Sequence, residues 1–186
     1  MHQITFDKFA EHIFAYARQH NDLGFIIRLH PAFIINEMLP NGFWSKDDLA
    51  LLKQYCRESD NIVFDESETY DAAFSVSDAI LSDAYCGIIC TVLPTLKPIC
   101  VMYRDRGLGQ YNKEITDSYY SAYGKEDLYR FFDMVRLNGE DTMLPLRRAA
   151  AKKCIMHFDG KNGERLKDFI DVKYGEEATK RREARG

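Results

Sequence analysis

Four short apolar runs constrain the fold of this chain more than any other feature: Phe25-Ile26-Ile27-Arg28-Leu29, Asn61-Ile62-Val63-Phe64, Asp78 to Ser82, and Pro98 to Tyr103. Each has the length of a strand, and segments of helical period lie between them. Phe6, Phe9, Ala10, Ile13, Phe14 and Ala17 recur at helical spacing, which predicts an amphipathic helix from Thr5 to about Gln19. Ser45 with Asp48 three residues on predicts a capping box for a helix ending near Arg57. Glu68 to Ser75 reads as a short helix, and Tyr85 to about Leu93 as a buried one stopped by Pro94. Strands with near-continuous apolar runs, alternating with helices, predict an α/β fold. The expected form is a Rossmann-like open parallel sheet with helices on both faces and right-handed crossovers.

Beyond Tyr103 the pattern changes. An aromatic, polar segment containing Tyr111, Tyr119, Tyr120 and Tyr123 reads as loop packing, followed by helices at about Lys125 to Leu137, Thr142 to His157 and Gly163 to Tyr174. The expected organisation is one domain over residues 1–175, with a helical carboxyl-terminal part, and a charged flexible tail over 176–186.

A chain of 186 residues, 46% of them hydrophobic, is long and apolar enough to bury a core. The formal charge of -4 gives no composition-level case for a nucleic-acid partner. Cys86 and Cys90 lie close in sequence, but no matching cysteine pair or adjacent histidine accompanies them, so the spacing is not that of a zinc site. Reduced, mostly buried thiols are expected, as in a cytosolic protein. No signal-peptide pattern opens the chain, and no apolar run approaches the roughly 20 residues that span a bilayer. The expected setting is the cytoplasm.

In a parallel sheet, ligands bind outside the carboxyl ends of the strands. There the sequence puts Arg28-Leu29-His30-Pro31, Asp65-Glu66, Ser82-Asp83 and Tyr103-Arg104-Asp105. A helix starting near Tyr85 would aim unpaired amides at such a crevice, and Gly87 would let a phosphate approach the backbone. His30, fixed by Pro31, has two readings: a proton acceptor or phosphate ligand, or a loop residue bonded to a carbonyl. Asp83 is either a site residue or a helix cap, and Cys86 either a reactive thiol or a packing residue. No metal site is assigned, because Tyr103-Arg104-Asp105 sets a single carboxylate beside a cation.

Arg28-Leu29-His30-Pro31, Ser77-Asp78-Ala79-Ile80-Leu81-Ser82-Asp83, Lys97-Pro98-Ile99 and Phe158-Asp159-Gly160-Lys161-Asn162-Gly163-Glu164-Arg165-Leu166 stand in an order and spacing that resemble one family. It is the carboxyl-terminal half of the CDP-glycerol glycerophosphotransferases, the teichoic-acid polymerases and primases, and the resemblance runs from about Phe25 to Ile170. It implies a GT-B architecture whose carboxyl-terminal domain holds a CDP-activated donor and transfers glycerophosphate or a related polyol phosphate to a hydroxyl acceptor. By the same resemblance His30 would be catalytic, and Arg28, Ser82, Asp83, Ala84, Tyr85, Cys86, Gly87 and Arg104 would bind donor phosphates. Pro31, Asp65, Asp159 and Arg165 would support them. The family usually follows its strand-end aspartate with Tyr-Ser-Ser, whereas this chain reads Asp83-Ala84-Tyr85-Cys86-Gly87, leaving backbone amides in place of hydroxyls. The implied partners are the nucleotide-activated donor, an acceptor-binding amino-terminal domain or subunit that the chain lacks, and a membrane surface met through a lipid-linked acceptor at the inner face of the cell membrane. The resemblance implies no cofactor and leaves metal dependence open. Alone, the chain is expected to bind rather than turn over, since in-line transfer needs both walls of a closed cleft. Two alternatives stand beside this reading: a GT-B glycosyltransferase using another nucleotide sugar such as CMP-sialic acid, and a catalytically inactive Rossmann-like assembly module.

Overall fold

The strand-helix alternation is realised as an α/β structure in which every strand pairing among the described residues is parallel. The computed structural model describes residues 5–29, 45–83, 88–103, 113–157 and 159–183, with backbone alone for 88, 89 and 176–183. Helix α1 (Phe6–Gln19) leads into β1 (Phe25–Ile27); α2 (Lys46–Glu58) and β2 (Ile62–Phe64) follow. Then come α3 (Asp71–Val76), β3 (Ile80–Asp83), α4 (Ile88–Val92), a 3₁₀ turn (Leu93–Thr95) and β4 (Ile99–Met102). The chain closes with α5 (Lys113–Thr116), β5 (Tyr120–Ala122), α6 (Lys125–Arg136), α7 (Leu144–Cys154) and α8 (Asn162–Glu183).

One continuous sheet was the expectation. Among the described residues the ladders instead form a two-stranded sheet, β1-β2, and a three-stranded sheet in the order β3-β4-β5. The strands are only three or four residues long, so each ladder is brief. The β4 ladder has helices on both faces. Cys100 and Met102 point into a core shared with α1, α2, α6, Ile27 and Ile62, while Ile99 and Val101 point into a second core with Val92, Leu93, Ile115, Ala150 and Ala151. This alternation is why β4 is apolar at every position. The β1-β2 sheet is covered on one face only, because Ile26 and Val63, directly opposed in register, are both exposed.

Local signals set the start of α2 and the 3₁₀ turn. Ser45 Oγ accepts from the Asp48 amide at 3.1 Å and the Asp48 carboxylate accepts from the Ser45 amide at 2.7 Å, so the capping box forms in full. Pro94 falls within the 3₁₀ turn rather than ending α4, and Leu96 closes that turn in the left-handed region at φ 56°. The predicted buried helix is corrected too: Cys90 and Thr91 of α4 are exposed. Cys56 and Cys100 are buried as expected and Cys154 is half-buried, so Cys90 departs from the pattern. The segment read as aromatic loop contains β5, and Tyr119 beside it is buried. Helix α8 continues past residue 175 to Glu183.

Candidate functional site at the carboxyl ends of the strands

Parallel register carries Arg28 and Asp65 together. Ile27 pairs with Phe64, and the Asp65 amide donates to the Ile27 carbonyl at 2.9 Å, so the next residues leave the ladder side by side. Arg28 Nη1 donates to Asp65 Oδ2 at 2.6 Å and to Ser67 Oγ at 2.9 Å, while Nη2 donates to the Ser67 carbonyl at 2.5 Å. The guanidinium carbon lies 4.4 Å from the centroid of the Tyr70 ring. The Ser67 amide, donating at 3.0 Å, is the chief cause that holds the Asp65 carboxyl below the usual carboxylate range, with the Ser67 hydroxyl and Arg28 adding to it. The result is a cation held in one orientation, with side chains 15% and 18% exposed for Arg28 and Asp65.

A second polar knot gathers at the ends of β3, β4 and β5. Asp83 Oδ1 accepts from the Thr5 amide at 3.0 Å and also from the Thr5 hydroxyl. Thr5 is wholly buried and precedes α1, so the Asp83 carboxylate caps that helix from across the fold. Burial pushes the Asp83 carboxyl above its ordinary value, against the Thr5 donors that draw it down. Lys8 Nζ donates to the carbonyls of Tyr103 at 3.1 Å and Tyr123 at 2.7 Å, tying the first turns of α1 to the ends of β4 and β5. The rings of Tyr103 and Tyr123 stack at 5.1 Å. Ser82 is buried, and its hydroxyl donates to the Asp83 carbonyl at 3.3 Å.

Helix α1 relates the two knots. Its amino end meets Asp83, Tyr103 and Tyr123, whereas Asn61, at the amino end of β2, donates to the carbonyls of Ala17, His20 and Leu23 at 3.0, 3.2 and 2.9 Å. A helix of 14 residues, about 21 Å long, thus runs antiparallel to the strands of both sheets. The carboxyl ends of both sheets therefore face the same side of the molecule.

Of the residues singled out from sequence, the structure brings Arg28 to Asp65 in one knot and sets Ser82 and Asp83 in the other. His30, Pro31, Ala84, Tyr85, Cys86, Gly87 and Arg104 lie outside the described residues. Asp159 and Arg165 are joined instead to each other, in a two-pronged pair at 2.8 and 2.5 Å at the exposed start of α8. Arg165 holds the Asp159 carboxyl well below the usual range, and Gly160 between them takes φ 75°. Among the described residues no group of three or more His, Cys, Asp and Glu is placed to hold a metal ion. No described helix is long and apolar enough to cross a membrane.

Sequence reasoning missed Thr5, Lys8, Ser67 and Tyr70. Asp65-Glu66-Ser67 carried a local signal, an aspartate two residues before a serine amide it can accept from. Nothing local marks Thr5 as a partner of a residue 78 positions away.

No family model, no curated protein and no solved structure matches the chain.

Proposed function

We propose that this chain is a Rossmann-like nucleotide-donor-binding domain of the CDP-glycerol glycerophosphotransferase type. In this reading it holds a CDP-activated donor for transfer of glycerophosphate to a hydroxyl acceptor in cell-envelope polymer synthesis, on the cytoplasmic side. The observation that carries the reading is the common orientation of the strand ends: both sheets send their carboxyl ends, with Arg28, Asp65, Ser82 and Asp83, to the side where α/β folds bind nucleotides. Arg28 is pinned two residues before His30, and the Asp83 to Gly87 segment begins where β3 ends. His30 would serve as base or phosphate ligand, residues 84–87 as diphosphate cradle, and Arg28 or Arg104 as charge stabiliser. An amino-terminal acceptor domain or subunit completes the cleft.

One observation favours the assembly-module alternative. The Asp83 carboxylate is already occupied as the cap of α1, and Arg28 is already paired.

Calorimetric titration with CDP-glycerol, CDP, CMP and UDP separates the readings. The expected result is binding selective for the CDP compounds, weakened ~10-fold, or about 1.4 kcal/mol, by His30→Ala. A CMP preference favours the glycosyltransferase alternative. No binding to any nucleotide, even after Tyr85→Ser and Cys86→Ser, removes the donor-domain reading in favour of the assembly module.

A further inference from the structure

Helix α8 carries an apolar stripe that the proposed donor site does not use. Leu166, Phe169, Ile170 and Tyr174 recur at helical spacing, so their side chains line one face over about 12 Å of helix. They are 60, 61, 41 and 66% exposed, and none belongs to either core. Asp168 falls on the opposite face, and Val172 lies off the stripe.

One edge of the stripe bears charges in a set order. Lys167 follows Leu166 and Asp171 follows Ile170, so both lie along the same edge, where Lys167 Nζ donates to Asp171 Oδ2 at 2.9 Å. On the other edge Lys173 Nζ sits 5.7 Å from the centroid of the Phe169 ring. A partner for this face must be apolar along its middle and must offer a carboxylate opposite Lys167 and a cation opposite Asp171. Helix α8 of a second copy, laid antiparallel about a two-fold axis at Ile170, meets these demands. Under that rotation like edges meet, so Lys167 of each helix comes beside Asp171 of the other, Leu166 beside Tyr174, and Ile170 beside its own counterpart. Parallel pairing instead sets Lys167 against Lys167 and Asp171 against Asp171, two like-charge contacts. An anionic membrane surface is the poorer match, because it favours a flank rich in Lys and Arg, not one carrying a carboxylate.

We propose that α8 is a self-association surface through which two copies of this chain pair antiparallel, with Ile170 at the axis and Lys167 and Asp171 fixing the direction. The area sets the strength. Four side chains of this size, exposed to this degree, offer on the order of 400 Å² per chain, against about 800 Å² per partner in a standard stable interface. The pair is therefore weak, and α8 stands alone in dilute solution.

Sedimentation equilibrium of the full chain over about a 100-fold range of concentration reads the pairing. The average mass is expected to climb from one chain toward two as concentration rises. Ile170→Asp sets a carboxylate on each side of the axis and is expected to hold the mass at one chain, with an unchanged melting temperature in dilute solution. Lys167→Glu and Asp171→Lys are each expected to weaken self-association ~10-fold, whereas an equimolar mixture of the two variants associates as the unsubstituted chain does, because opposite charges then face each other again. A mass that stays at one chain throughout, association that survives Ile170→Asp, or a mixture that associates no better than its components overturns the proposal. So does a melting temperature that falls in dilute Ile170→Asp, which would mean that the body of the same chain covers the stripe. No readout involves a nucleotide, so failure of the donor-domain reading leaves this result untouched.

Discussion

Two strand-end aspartates show how neighbours give one residue type opposite roles. Asp65 is held by a backbone amide, a hydroxyl and a guanidinium, so its folded value lies below its unfolded one. Its contribution is present above the ordinary carboxylate range and is lost as pH falls through the lowered value. Asp83 is buried, and its folded value is raised despite the Thr5 donors. The folded chain therefore holds that proton more tightly than the unfolded chain, and stability falls as pH rises from the ordinary carboxylate range through the raised value. Asp83→Asn keeps an acceptor for Thr5 without the charge, so urea unfolding followed from about pH 4 to neutrality should show a shallower fall than in the unsubstituted chain. An unchanged fall would mean that Asp83 is not the group responsible. Asp83→Ala leaves the buried Thr5 amide and hydroxyl without their acceptor and is expected to cost about 1–3 kcal/mol.

At the scale of elements, legibility follows how local the cause is. Helices α1, α2 and α6 were readable because each has apolar residues at helical spacing, and α2 begins at a box made within four residues. Strand β5 was not, because Tyr120-Ser121-Ala122 gains its identity only from pairing with Cys100, Val101 and Met102. The site divides the same way. Arg28 and Asp65 were each visible as strand-end polar residues, but their contact is a consequence of register, and the Thr5 cap on Asp83 is a consequence of the whole fold. Asn61 is another such long-range device: its side-chain amide closes the carboxyl end of α1 and the turn that enters β1. The Ala17 and His20 carbonyls also accept from the His20 and Leu23 amides, so Asn61→Ala is expected to remove one donor from each carbonyl and to lower unfolding free energy by about 1 kcal/mol, with loss of hydrogen-exchange protection concentrated in the last turn of α1. Asn61→Asp should be no better, since a carboxylate donates nothing to carbonyls. A variant as stable as the parent would show that solvent serves those carbonyls equally well.

At the scale of the molecule, stability is concentrated in the two cores around the β4 ladder, and no described side chain of α8 belongs to either. Every described side chain of α8 from Asn162 to Gly175 is exposed, among them Leu166, Phe169, Ile170, Val172 and Tyr174. Its ion pairs among the described residues are local, Arg165 to Asp159 and Lys167 to Asp171 at 2.9 Å, which as solvent-exposed pairs contribute little. Most helical stability in proteins comes from packing of an apolar face, and the described side chains of α8 are all exposed, so it should open independently of the cores. Limited trypsin is expected to cut first at Lys161, Arg165, Lys167 and Lys173, leaving a resistant fragment that retains β1 to β5. A chain ending at Lys161 should melt within about 2 °C of the full chain, because no described side chain that the deletion removes is buried in either core. A fall beyond about 5 °C, which for a domain of this size corresponds to more than 1 kcal/mol, would instead mean that α8 packs on the body in solution. The same experiment separates the two uses of the late motif. If Asp159 and Arg165 serve a donor site as the family resemblance implies, nucleotide binding weakens on truncation while the melting temperature holds; if they only stitch the start of α8, neither changes.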